Sequence, residues 1–334
     1  MDSADEARRR ALGRPSAPPQ SGPKAEEIAE PRAFGERSHG AAAAPEDLLL
    51  TCRRAVENAE ASPGPDLFRL HLDRLVAEAF DPGDRAKLTD IQNLADEGLF
   101  LADEGRADAA ASRFLAANRI VETGGMGSDA RMLAEALLWA REAGSEACAG
   151  RFEWGVEMLE TAIDSDLLCE HAGLEIMLIH RVRIAGERMR IERRRGRLGD
   201  ALLLGAGLLH YLERPTEPPG AGLGPAWRIG WRDHRGVIEP ALVSEAHRQI
   251  AEQQVNFLGE LEARGAPEAV LQLRRFVPVQ PSQAQRWTLF QVTRLEGDDE
   301  RLNEAARAVM APGPHPSAPL WRSVAAGVLA GPTR

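Results

Sequence analysis

The chain has 334 residues, 43% of them hydrophobic and only 5% aromatic, with 41 basic against 51 acidic side chains and a formal net charge of −10. The apolar fraction suffices for a substantial core in one or two domains, while the acidic balance and the lack of aromatics among the basic runs argue against nucleic-acid binding. No run of eighteen apolar residues occurs, so no membrane-spanning helix is expected, and the odd set Cys52, Cys148 and Cys169, without a CxxC pair, fits a reducing compartment.

Helix formers dominate, led by Ala and Leu, and long alternating β-branched runs are missing, so the expected class is all-α. Residues 1–45 are rich in Pro, Gly, Ala and charge and are expected to be disordered; the opening MDSADEARRRALG lacks the apolar stretch of a secretion signal. Pro45-Glu46-Asp47 opens a first helix, and SPGPD at 62–66 breaks the chain. A second helix through Leu67, Leu70, Leu72, Leu75, Val76 and Phe80 completes a pair that would cap the central helices.

The centre carries a recurring corner. Gly105-Arg106, Gly150-Arg151 and Gly196-Arg197 lie 45 and 46 residues apart, each between two apolar-periodic runs, which predicts αα-hairpins in series. In the first, Leu94, Gly98, Leu101, Gly105, Ala110, Phe114 and Ala117 fall at offsets 0, 4, 7, 11, 16, 20 and 23. Ala110 and Ala117 leave room for a close helix crossing that Phe114 fills. This pattern resembles the tetratricopeptide repeat (TPR), and residues 84–212 carry it. The second copy keeps Gly155, Leu159 and Ala162, with Trp139 in the place of Leu94; the third keeps Ala201 and Leu208 but has Gly205 where Phe114 stood. The family's period is about 34 residues, so longer helices or insertions such as Gly124-Gly125-Met126-Gly127-Ser128 are implied. The resemblance implies a stacked α-solenoid whose first helices line a concave surface. Residues 130–149 lack the Lys and Asn with which some members clamp a chaperone tail, so that ligand is not expected.

The expected domains are a disordered tail at 1–45, a TPR-like helical array at 46–212, a Pro/Gly-rich loop at 213–240 with a possible small β-hairpin, and a helical module at 241–330. Within the array, one long helix from about Glu170 to Arg195 carries Arg181, Arg188 and Arg195 seven apart, near one face, with Arg183, Arg190, Arg194 and Arg197 on a neighbouring one. Lysine is confined to Lys24 and Lys87, the usage of a GC-rich genome, so an arginine there is weaker evidence of anion binding than elsewhere. In the loop, Trp227, Trp231, Arg232 and His234 would contact a partner or pin the loop to the array. Cys169, His171, Glu175 and His180 have poor metal spacing, and no catalytic motif appears; no metal or cofactor is expected. The residues thus suggest a non-catalytic, cytoplasmic bacterial scaffold or adaptor. It would hold an acidic protein or peptide through Arg181, Arg188 and Arg195, with Trp227, Trp231, Arg232 and His234 adding contact, and binding would weaken with salt. The alternative is an enzyme or small-molecule sensor with a pocket where the 213–240 loop meets the helical modules.

Overall fold

A computed structural model describes residues 66–213, 238–265, 282–297, 299–310 and 318–330, with Leu50, Leu223, Trp227 and Val270. The expected tail, the helix opened by Pro45 and most of the 213–240 loop lie outside the described residues. The described residues form eleven helices: α1 (Leu67–Ala79), α2 (Pro82–Asp103), α3 (Ala107–Thr123), α4 (Ser128–Cys148), α5 (Phe152–His171), α6 (Met177–Arg194), α7 (Leu198–Glu213), α8 (Pro240–Ala263), α9 (Gln283–Glu296), α10 (Asp299–Met310) and α11 (Ala318–Ala330). None of them is long and apolar enough to cross a membrane.

Each of the three Gly-Arg corners closes a helix pair, α2/α3, α4/α5 and α6/α7. The glycines have φ near +77°, a left-handed backbone that a Cβ disfavours. At each, the Gly N–H and the following Arg N–H reach back to two carbonyls of the helix just ended, as in Arg106 N to Leu101 O at 2.9 Å and Arg197 N to Glu192 O at 2.9 Å. Those bonds satisfy carbonyls that a helix end otherwise leaves unpaired. α2 starts as firmly as it ends, because the Asp81 carboxylate accepts from the Gly83 and Asp84 amides at 2.7 and 3.0 Å, with Pro82 in the first turn.

The pairs pack in order. First helices touch in succession, α2 on α4, α4 on α6 and α6 on α8, and each second helix α3, α5 and α7 touches the next first helix along the chain. The long helix expected from Glu170 to Arg195 is instead two. Gly173 (φ 92°) ends α5, its N–H bonding Glu170 O while Leu174 N–H bonds Cys169 O, and α6 begins at Met177. The apolar periodicity runs through this turn because Leu174 and Ile176 are themselves buried.

Within the pairs, the residue seven before the corner glycine meets the residue nine after it, and one is large where the other is small. A Cβ on Gly98 would lie 2.8 Å from the Phe114 ring; a Cβ on Gly205 would lie 2.6 Å from Met189 Cε. Buried Ala143 and Leu159 hold those two places in the second pair. The bulk missing at Gly205 is thus supplied from across the pair by Met189 and from α8 by Gln254, whose Cδ lies equally close, 2.6 Å from that Cβ.

The same corner recurs further on, where the sequence shows no repeat. Gly265 (φ 67°) closes α8, with Val270 buried five residues later, and Gly297 (φ 76°) joins α9 to α10. In that last pair the two seam places hold buried Phe290 and Ala306, and α11 packs on it, since a Cβ on Gly327 would lie 2.9 Å from Phe290 Cζ. A buried carboxylate ties these elements to the array: Glu213, ending α7, accepts from the Gln283 and Ala284 amides at the start of α9 and is 2.9 Å from His247 Nε2 on α8. Amide groups at a helix start are the natural partner for such a buried anion.

Candidate functional site

The three arginines seven apart form a face of α6, and that face is turned to α5. Arg181 is wholly buried and grips Glu170 with two bonds of 2.9 and 3.1 Å. Arg188 lies 3.7 Å from Glu160, and Arg195 lies 2.7 Å from Glu153. Glu170, Glu160 and Glu153 descend α5 as the arginines ascend antiparallel α6, so the set is a ladder of ion pairs between two neighbouring hairpins. Trp227 packs at its buried end, edge-on to Tyr211 with centroids 5.1 Å apart and 4.8 Å from the Arg181 guanidinium. Trp231, Arg232 and His234 lie outside the described residues.

The neighbouring Arg183, Arg190 and Arg194 are partly exposed and paired with Asp66, Glu187 and Asp103. A groove of about 440 Å³ runs along α2, α4 and α6, with α1 at one end. Its walls repeat in register with the corner glycines. Thirteen residues before each corner stand Gln92, Leu137 and Arg183; nine before, Asp96, Arg141 and Glu187; six before, Leu99, Gly144 and Arg190; two before, Asp103, Cys148 and Arg194. On one helix these offsets share a face, and three helices packed in parallel register bring equal offsets together.

Several rungs make direct contacts. Arg141 Nε bonds Asp96 at 2.9 Å, and a Cβ on Gly144 would lie 3.1 Å from Leu99 Cδ1. The Cys148 thiol donates to Asp103 at 3.0 Å and accepts from Arg194 at 3.1 Å. Partial burial and the Asp103 bond push the Cys148 thiol above its ordinary value, against the pull of Arg194, so it is a neutral donor at pH 7 and a poor nucleophile.

No family model matches this chain, and no curated protein or solved structure matches it.

Near the α1 end the groove touches His180, whose Nδ1 lies 2.9 and 3.0 Å from the two oxygens of fully buried Asp166. Phe68 of α1 stacks on the imidazole at 5.6 Å, nearly parallel, which shuts the ring off from water. Behind this pair Cys169 is fully buried, its thiol pushed up to about 12 by burial and then by Asp166 and Glu170, while exposed His171 bonds the Leu167 carbonyl of its own helix. Among the described residues no three His, Cys, Asp or Glu converge on a point where a metal ion would sit.

Burial, offset by His180, pushes the Asp166 carboxyl up to about 6 from 3.8. The folded chain therefore holds this proton more tightly than the unfolded one. The stability it brings is complete below pH 4 and is lost as pH rises through 6. Asp166→Asn removes that dependence. The free energy of unfolding of the variant minus that of the wild type should rise by up to about 3 kcal/mol between pH 4 and pH 8. Urea titrations across that range measure the difference, and a flat curve would contradict the assignment.

Arg181, Arg188 and Arg195 are turned to carboxylates of α5, and the neighbouring Arg183, Arg190 and Arg194 line the groove. Gln92, Asp96, Arg141 and Cys148 were missed altogether, although a signal existed: each stands at a fixed distance before a Gly-Arg corner.

Proposed function

We propose that this chain is a non-catalytic adaptor built as a divergent TPR-like solenoid, and that the groove along α2, α4 and α6 holds a peptide or helix of a partner protein. One observation carries the reading: residues at four equal offsets from three corners line a single groove, which is how stacked hairpins generate an extended binding surface. The wall is mixed. Leu99, Leu137 and Ile184 offer apolar contact, and Arg183, Arg190 and Arg194 place three cations on the α6 side. Arginines there suit carboxylates, which a planar fork can hold with two bonds. The proposal thus moves the anion-binding role from Arg181, Arg188 and Arg195 to Arg183, Arg190 and Arg194.

Selection of a displayed random-peptide library on the full chain tests this. Enriched peptides should be acidic, should bind about tenfold or more weakly to Arg190→Glu/Arg194→Glu, a loss of about 1.4 kcal/mol, and should weaken further with salt. Arg248→Glu, at an exposed arginine of α8 that pairs with Glu252 along its own helix, is the control. Peptides that bind the double variant as tightly as wild type would place binding elsewhere.

A further inference from the structure

The helix at the end of the groove is bound differently from its neighbours. Two residues of α1, Phe68 and Leu72, are buried out of 13, whereas α6 buries 12 of its 18. Both enter the groove, with Phe68 lying between His180 and the Arg183 guanidinium, whose carbon is 5.0 Å from the ring centre. Ahead of them, Asp66 caps α1 through the Arg69 amide at 3.1 Å and also takes both Arg183 nitrogens, at 2.9 and 3.0 Å. Partial burial opposes ionisation of Asp66, and Arg183 with the Arg69 amide overcomes it, holding the carboxyl below its ordinary value. The outer face, Asp73, Arg74, Ala77 and Glu78, is exposed. Only Phe80 and Asp81 connect α1 to α2, so rotation at two residues would swing it away once its contacts with α8 part, where the Leu67 amide donates to Glu245 at 3.2 Å and His71 and Arg74 lie 3.5 and 3.6 Å from Glu239.

We propose that α1 is a built-in occupant of the groove, and that the partner which displaces it is an amphipathic helix of the same chemistry: a carboxylate, an aromatic two residues on and an aliphatic residue four beyond that. This rests on the groove reading above and names its ligand class. The seat shows what the wall selects. Arg183 takes the carboxylate with two bonds, the His180 face takes the aromatic ring, and the cleft beside Ile91 and Leu138 takes the aliphatic side chain. A partner continuing past α1 would meet Asp103, Cys148, Arg190 and Arg194, the part of the groove that α1 leaves open.

The probe is a fluorescent, end-blocked peptide of residues 66–80, titrated into full-length wild type and into Phe68→Ala/Leu72→Ala. Occupancy of the groove by α1 lowers apparent affinity by the fraction of open molecules, so the variant should bind the peptide at least about tenfold more tightly than wild type, as α1 is closed about nine-tenths of the time or more. A peptide carrying the same two alanines should bind neither. Equal binding to both proteins, or none to a variant whose helical circular dichroism matches wild type, overturns the proposal. If the double variant fails to fold, hydrogen exchange on wild type decides: saturating peptide should speed exchange of amides 67–79 while α4 and α6 are unchanged or slower, and unaltered α1 protection overturns it. Dimerisation of wild type that Phe68→Ala/Leu72→Ala abolishes would assign the seat to α1 of a second copy and overturn the intramolecular arrangement. Library peptides that bind wild type without exposing α1 refute the occupant and leave the adaptor reading standing.

Discussion

Arg181→Ala is expected to cost about 3–5 kcal/mol in unfolding free energy, because it strands the Glu170 carboxylate in a site with almost no water. The arginine is the inner rung of the ladder between α5 and α6, fully buried, with its guanidinium also within 3.4 Å of Tyr211 Oη. Its removal takes away two charge-assisted bonds to Glu170 and opens a void beneath Trp227. Arg190→Ala, at a half-exposed side chain paired with Glu187 along its own helix, should change stability by about 0.5 kcal/mol or less. Arg181→Met combined with Glu170→Leu should recover most of the loss, since a buried ion pair replaced whole by apolar groups of similar size leaves no charge unanswered. Urea unfolding followed by circular dichroism separates these cases. A loss under about 1 kcal/mol for Arg181→Ala would mean that the ladder does not fix how the second and third hairpins sit together. The groove depends on that register, because its rungs join equal offsets of α2, α4 and α6.

The helical class and the three corners were legible in sequence because both are local. A glycine flanked by two periodic runs must turn the chain, and the left-handed backbone at Gly105, Gly150 and Gly196 is what the residue type foretells. The break at Gly173 was hidden because the next turn is as apolar as a helix face, with Leu174 and Ile176 both buried. The corner at Gly265 was hidden by Pro267 close behind it and by the long interval since Gly196, which breaks the even spacing. At the site, a seven-residue arginine spacing identified a face of α6 correctly and could not say what lay opposite. Net charge along one helix carries no information about which neighbour supplies the counter-charge: Glu153, Glu160 and Glu170 of α5 meet one face, while Asp66, Glu187 and Asp103 meet Arg183, Arg190 and Arg194 on the other. The α1 seat was illegible for the same reason: Asp66 and Arg183 are 117 positions apart.

The seam between paired helices makes a second large prediction. Gly98→Met should cost about 3 kcal/mol, since a Cβ alone would stand 2.8 Å from a ring buried on all sides and the rest of the side chain has nowhere to go. Phe114→Gly should cost about 4–5 kcal/mol, combining the void left by a lost aromatic with glycine's poor fit to a helix interior. Made together, the two changes copy the pairing of Met189 with Gly205 in the third hairpin, without the Gln254 side chain of α8 that also packs over Gly205 there. The double variant should then be more stable than the sum of the single losses predicts by about 3 kcal/mol, the upper end of coupling between touching residues. A thermodynamic cycle of the four proteins by urea unfolding gives that coupling directly. Simple additivity would show that the two hairpins resemble each other in outline and differ in how their helices are held together, and the common register on which the groove rests would lose its physical basis. Strong coupling would show that the seam is specified by the total volume across it, whichever helix supplies the bulk, and that the corners can therefore tolerate the divergence seen between Phe114, Leu159 and Gly205.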